Sequence, residues 1–334
     1  MEYCSRFFRV WFCFVLMLPG ALMAADAPQI AVGEMARIVA GLQPDPAGFD
    51  PAARALFPAF ARDVTAQLAG RYVMVAMQRA GLPPSLERQS PNELKRTLSA
   101  YRDRWRFFAR TGFYRTNDLE DFASRREVLV SVTSQLMAFA SRLGYEVEAV
   151  EPVQIAADGK DLVRVTGDIT NVAAWNSVRL TLNKNGRHVI IDYIRMDLSD
   201  GVIVKHPSHK AFIEQASANR TLVKAASHLL QRPYFTILRN DILKNAPSVI
   251  QDETGIEYSA LAGAFKTRLY GSFVKPHNLF QTSMQTSLAK AYQEARDVRP
   301  LTFRLGYDKT AGSSVVVAGR GGVAVPPPRN CAAQ

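Results

Sequence analysis

The chain has 334 residues, three cysteines and a net charge of +11. That length supports one large or two ordinary domains with a real core. Cys4 and Cys13 fall within the first 25 residues and only Cys331 lies beyond them, so a chain processed there has no internal disulfide. Past the N-terminus no apolar run approaches the roughly 20 residues that a membrane span needs.

The first 25 residues read as a secretory signal. Arg6 and Arg9 are basic, Val10–Leu18 is a short apolar stretch, Pro19-Gly20 breaks it, and Ala21, Ala24 and Ala25 supply small residues for cleavage near 24–25. An uncleaved anchor is the alternative, although the apolar stretch is short for one. No cysteine stands at the cleavage point, so this is not a lipoprotein signal. The processed chain would carry about +10 and meet anionic headgroups, cell-wall polymers or acidic partners rather than nucleic acid.

Ile30–Ala40 reads as a short amphipathic helix and Gln43–Gly48 as a Pro-rich linker. Ala59–Ala80 reads as helix, with Phe60, Val64, Leu68 and Val75 among its apolar positions. Ser90-Pro91-Asn92-Glu93 combines a Ser N-cap, Pro at the first helical position and Glu at the third, the pattern of a capping box. The helix it opens runs to Arg110. Leu98, Tyr101, Trp105 and Phe108 share one face, and Lys95, Arg102, Arg106 and Arg110 form a basic stripe on another. Lys95, Arg102, Trp105, Arg106 and Arg110 are therefore candidate contacts to an anionic surface, with a core-packed helix bearing a solvated basic face as the alternative. A second long helix spans Asp118–Leu143.

The sheet is expected within 145–200. Tyr145–Ile155 and Leu162–Thr170 are strands around the Asp158-Gly159 turn. Val178–Tyr193 is a hairpin whose Asn185-Gly186 supplies the two positive-φ positions of a type I′ turn. That turn sets the register. Val178 faces Tyr193, Leu180 faces Ile191 and Leu182 faces Val189 on one apolar face, while Arg179 faces Asp192 on the other. Further helices are expected at Ser208–Gln231, Tyr234–Asn245, Tyr258–Tyr270 and Gln281–Arg296. Leu301–Tyr307 and Ser314–Ala318 are short strand candidates, and the Gly- and Pro-rich end reads as disordered.

The expected fold is α+β and helix-rich, with one antiparallel four-stranded meander covered by helices over 26–231. A helical extension follows over 232–312, then a mostly disordered tail over 313–334.

Catalytic signals are sparse. His206-Pro-Ser-His209 spaces two imidazoles for a metal, with Asp197 and Asp200 nearby, but a polar helix entry explains it as well. Ser287-Leu-Ala-Lys290 matches S-x-x-K of serine acyl-transferases, with Lys309-Thr310 as a faint echo of K-T-G. The S-D-N element and the Gly after Thr310 are missing, which leaves Ser287 and Lys290 as ordinary helix surface. The sheet acids Glu146, Glu148, Glu151, Asp168, Asp192 and Asp197 could include a glycosidase pair, but strand alternation makes several of them solvent-facing. No catalytic residue, metal or cofactor is assigned.

Residues from about Asp118 to Gln231 resemble the MlaC (toluene-tolerance) family of periplasmic phospholipid-binding proteins. The resemblance rests on the long helix, the strand pair over Glu146–Thr170, Val178-Arg-Leu-Thr-Leu with Asn185-Gly186 and Val189-Ile-Ile-Asp192-Tyr, then Asp197-Leu-Ser-Asp-Gly201-Val and Ala211-Phe-Ile-Glu-Gln215. It covers about a third of the chain, and the Trp usual before the last-strand Asp is absent. It implies an NTF2-like sheet under helices, a periplasmic location and an acyl-chain cavity whose wall would be Val178, Leu180, Leu182, Val189, Ile191 and Tyr193. An ordinary sheet–helix core would use the same six residues equally well. The leading expectation is a non-catalytic carrier of phospholipid or another apolar ligand. An envelope scaffold with no ligand is second, and a cell-wall or ester hydrolase third.

Overall fold

The computed structural model describes residues 64–68, 71–76, 79–82, 90–96, 98–99, 102, 131–142, 144–218, 220–224, 228–275, 284–300 and 314–320. In chain order these form β1 (Val64–Leu68), β2 (Arg71–Ala76), α1 (Val132–Arg142), β3 (Glu146–Ile155), β4 (Leu162–Arg164), β5 (Ser177–Lys184) and β6 (Arg187–Arg195). Next come α2 (Asp200–Lys205), α3 (Pro207–Ser217), β7 (Thr221–Lys224), α4 (Thr236–Asn245), β8 (Ser248–Gln251), α5 (Tyr258–Ala264), β9 (Lys266–Gly271), α6 (Thr286–Glu294) and β10 (Ser314–Gly319).

All ten strands join one mixed sheet in the order β4-β3-β5-β6-β2-β1-β7-β8-β10-β9. β1 links a five-strand half to a four-strand half, and β2–β6 and β7–β8 pair in parallel. This overturns the expected antiparallel four-stranded NTF2-like sheet. Strands β3 to β6 are antiparallel to one another, but β4 lies outside β3 rather than between β3 and β5, so they are not a meander.

The physical reason lies in which strands were hidden. Ala59–Ala80 reads as helix, yet Val64–Leu68 and Arg71–Ala76 are strands. Tyr72 to Ala76 are buried without a break, because both faces of β2 are covered, and such a strand loses the alternation that marks a one-sided sheet. The same holds for β7, β8 and β10, whose residues are all buried. The helix expected over Ser208–Gln231 stops at Ser217 and yields to β7, and that over Tyr258–Tyr270 stops at Ala264 and yields to β9. Leu162–Thr170 shortens to Leu162–Arg164. The strand expected at Ser314–Ala318 is present, paired between β8 and β9. The expected segments 30–40, 43–48 and 301–307, and the 118–130 part of the second long helix, lie outside the described residues.

The hairpin forms as its turn chemistry demands. Asn185 and Gly186 both have positive φ, 54° and 79°. The pairs Val178↔Tyr193, Leu180↔Ile191, Leu182↔Val189 and Arg179↔Asp192 are all in register. The capping box also forms. The Glu93 carboxylate accepts from Ser90 N at 2.8 Å and Ser90 Oγ at 2.8 Å, and Glu93 N donates back to Ser90 Oγ at 3.4 Å.

Two cores result. Face B of the five-strand half carries Tyr72, Met74, Val178, Leu180, Leu182, Val189, Ile191 and Tyr193, packed against Leu136, Met137 and Ala140 of α1. Face A carries Val73, Val75, Ile194, Leu222, Val249 and Val316 beneath helices α2 to α6, which contribute Ile203, Phe212, Leu238, Leu261 and Leu288. Each large apolar side chain removed from water adds about 1.5–3 kcal/mol.

Asp200 ties the helices of this layer together. Its carboxylate accepts from Thr236 N at 2.9 Å, Thr236 Oγ1 at 2.6 Å and Ile237 N at 2.9 Å, so a residue of α2 caps the start of α4. Burial pushes its pKa up, but the bonds from Thr236 and Ile237 outweigh this and hold it below the ordinary carboxylate value. A depressed folded-state pKa contributes stability above the unfolded pKa that is lost as pH falls through the folded one. Asp200→Ala should therefore cost about 1–2 kcal/mol near neutral pH, and its deficit in urea unfolding should shrink once the pH drops below the carboxyl range. A deficit that does not change with acidification would refute the charged-cap account.

Candidate functional site

Two clusters of polar residues stand out, and they differ in what their groups are already bound to. The first follows β8. Gln251, Asp252, Glu253, Thr254, Gln285 and Ser314 are all nearly inaccessible. The Gln251 amide bonds Ile256 in both directions, Nε2 to the carbonyl at 2.7 Å and Oε1 from the amide at 2.9 Å. Gln285 accepts from Tyr258 N at 3.0 Å and donates to Glu253 O at 3.1 Å. Gln231 donates to Glu253 O at 3.0 Å and Gly255 O at 2.8 Å, while Ser314 Oγ donates to the Glu253 carboxylate at 2.6 Å. Three glutamines are thus spent on the backbone of one loop. This is a structural clamp that satisfies buried groups. The polar run Gln251-Asp-Glu-Thr-Gly255 directly after an apolar stretch is the one sequence feature that could have signalled it.

The second cluster lies on face A and stays partly open. Asp192 is fully buried and holds two arginines. Arg179 reaches it through Nε at 2.6 Å and Nη2 at 3.3 Å, and Arg71 through Nε at 2.8 Å. The arginine side chains remain 26% and 32% exposed. The hydrogen bonds that Arg179 donates to Asp192 raise its pKa against burial, with the charges of Asp192, Glu151 and Asp161 adding to the rise. Glu151 is in register with Arg179 and also pairs with Arg164 at 3.3 Å. Arg220 completes the group from the loop before β7. Burial first, and then the nearby Arg71 guanidinium, hold its pKa below the ordinary arginine value, against the pull of Asp192. The Arg179–Asp192 pair was legible from the hairpin register. Arg71 and Arg220 were not, because only the β2–β6 and β1–β7 pairings bring them there.

The residues singled out from sequence fall as follows. Val178, Leu180, Leu182, Val189, Ile191 and Tyr193 sit together under α1, each no more than 2% exposed. Lys95 and Arg102 are exposed, and Arg102 Nη2 donates to Ser99 Oγ at 3.1 Å. Trp105, Arg106 and Arg110 lie outside the described residues. His206 and His209 stack with ring centroids 4.9 Å apart. Burial, then the neighbouring His206, lowers the pKa of His209. Among the described residues no group of three His, Cys, Asp or Glu side chains could hold a metal. Ser287 Oγ donates to the Glu257 carboxylate, which also caps α5 through Ser259 N at 2.9 Å, and Lys290 turns to Glu294 at 3.8 Å. Ser287 is therefore committed to a helix cap, and Lys309 and Thr310 lie outside the described residues. Among the acids, Glu148 bonds His188 and Asn183, at 3.0 Å and 2.8 Å, while Asp168 and Asp197 each accept from the backbone two residues on.

No protein-family model, curated protein or solved structure matches the chain. Among the described residues no helix is long and apolar enough to cross a membrane.

Proposed function

We propose that the chain is a non-catalytic binding protein of the cell envelope that works through the charged face of its sheet, over an interior closed as a packed core. The envelope setting rests on the basic-then-apolar N-terminus and the strong positive charge. The observation that carries the closed interior is the exposure of Val178, Leu180, Leu182, Val189, Ile191 and Tyr193, at 2% or less. A water-sized void beside any of them would leave accessible surface on it. Leu136, Met137 and Ala140 of α1 occupy the space that an acyl chain would take. The competing reading, a carrier with its ligand between α1 and the sheet, requires α1 to lift and expose that surface at about 25 cal/mol per Å².

The test is extraction. The processed protein is purified from cells, extracted with organic solvent and searched for phospholipid by mass spectrometry, then offered lipid in vitro. The expected result is no stoichiometric lipid and no uptake. One lipid per chain in either arm would overturn this reading in favour of the carrier.

A further inference from the structure

Face A carries a row of charges from the β4 edge toward the middle of the sheet: Arg164, Glu151, Arg179, Asp192, Arg71 and Arg220. Signs alternate along it as cross-strand pairs should, until the last two, which are both arginines. The register explains their proximity. Thr221 pairs with Gln67 and Leu68 with Arg71, so continuing the ladder by one residue sets Arg220 in the row of Arg71 with only β1 between. Two strand spacings put their backbones about 10 Å apart. Alternation puts both on face A, since Tyr72 belongs to the α1 side and Leu222 to the other core.

The bonding is lopsided. Three guanidinium groups surround one carboxylate. Arg71 spends only Nε on Asp192, and Arg179 spends Nε and Nη2. Arg220 makes no hydrogen bond or ion pair with any described residue, although it is half-buried beside another cation. The other carboxylates near the group, Glu151 and Asp161, act on Arg179 from the β3 and β4 side, away from Arg220. A desolvated guanidinium beside a like charge costs stability unless an anion offsets it. Asp192 fixes the two neighbouring forks, and a planar fork matches oxyanion geometry.

We propose that Arg71, Arg179 and Arg220 bind a phosphate group, with Asp192 holding the first two in place and Arg220 supplying the uncompensated charge. The group could come from free phosphate or from a lipid headgroup at the membrane surface. The inference deepens the reading of a surface-acting binding protein and rests on it for the open charged face, but not for the closed interior.

The test uses the full processed chain. Inorganic phosphate is titrated by calorimetry against chloride at equal ionic strength, and flotation is measured with phosphatidylcholine vesicles with and without phosphatidic acid. Arg220→Gln should lose at least tenfold in phosphate affinity, while its melting temperature without phosphate stays equal or rises, because a repulsion has been removed. Arg220→Lys should fall between Gln and the native residue. Binding to inorganic phosphate that Arg220→Gln abolishes supports a free-phosphate site. Binding only to phosphatidic acid vesicles, again lost in Arg220→Gln, supports a headgroup site. No binding beyond the chloride and phosphatidylcholine controls, or equal binding by Arg220→Gln, overturns the proposal. Either of those outcomes leaves the lipid-extraction result untouched, and lipid found on extraction would leave the Arg220→Gln comparison untouched.

Discussion

Asp192→Asn should lower the unfolding free energy by about 3 kcal/mol, among the largest effects of any single polar substitution in this chain. The carboxylate has no exposure and accepts from two arginines on different strands, Arg179 of β5 and Arg71 of β2. Breaking a buried ion pair by removing one partner typically costs 3–5 kcal/mol, because the surviving charge is left uncompensated. Here two charges survive, but both guanidinium groups keep about 30% of their exposure and water recovers part of the loss, so the lower end of that range is expected. Asparagine keeps the shape and one acceptor, which isolates the charge. Replacing the trio together, Asp192→Leu with Arg179→Met and Arg71→Met, should cost far less than the single change, since the penalty lies in unpaired charge rather than in lost attraction. Guanidinium denaturation would mask the electrostatics, so urea is the denaturant of choice. A loss under 1 kcal/mol for Asp192→Asn would mean that the arginines relax into solvent and that Asp192 does not hold them.

What the sequence made legible and what it hid divide along one physical line. Local chemistry was readable. Asn185-Gly186 set the register of seven residues on either side of it, including the Arg179–Asp192 pair. Ser90 and Glu93 declared their capping box. Non-local pairing was not readable. Arg71 lies opposite Ile190 in a parallel ladder, and no turn signal joins residues so far apart in the chain. β2 suffers twice over: its run Tyr72-Val-Met-Val-Ala76 is buried on both faces, so it has no period-2 pattern, and its apolar positions also satisfy a helical spacing. Thr221–Lys224 is only four residues long and follows a true helix directly, so the helical reading ran through it. The site inherits the same division. Half of the arginine cluster belongs to a hairpin and could be seen. The other half belongs to the parallel pair and the β1–β7 seam, which is also why the sheet was expected to stop at four strands.

Gly159→Ala should destabilise by about 3 kcal/mol or more, and Gly186→Ala by about 1–2 kcal/mol, the cost of a left-handed residue alone. The two glycines share a backbone conformation, with φ of 72° and 79°, and both sit in tight turns between strands. They differ in what surrounds them. A Cβ at Gly186 meets nothing within 4 Å. One at Gly159 would stand 2.2 Å from the Ser208 carbonyl oxygen and 2.8 Å from the Ala211 Cβ. Those atoms belong to the first turns of α3, whose Phe212 and Ile213 are buried in the face A core, so α3 cannot retreat without opening that core. The Asp158-Gly159 turn must instead move off the helix and carry the β3–β4 edge with it. Gly159 thus acts as the point where the outermost hairpin docks on the helical layer, and the difference between the two substitutions reports that docking free of the φ penalty common to both. Equal losses in urea unfolding would show that only the backbone conformation matters and that the turn and α3 are not pressed together. A larger loss for Gly159→Ala, with faster protease cleavage within 156–161 than in Gly186→Ala, is the expected outcome.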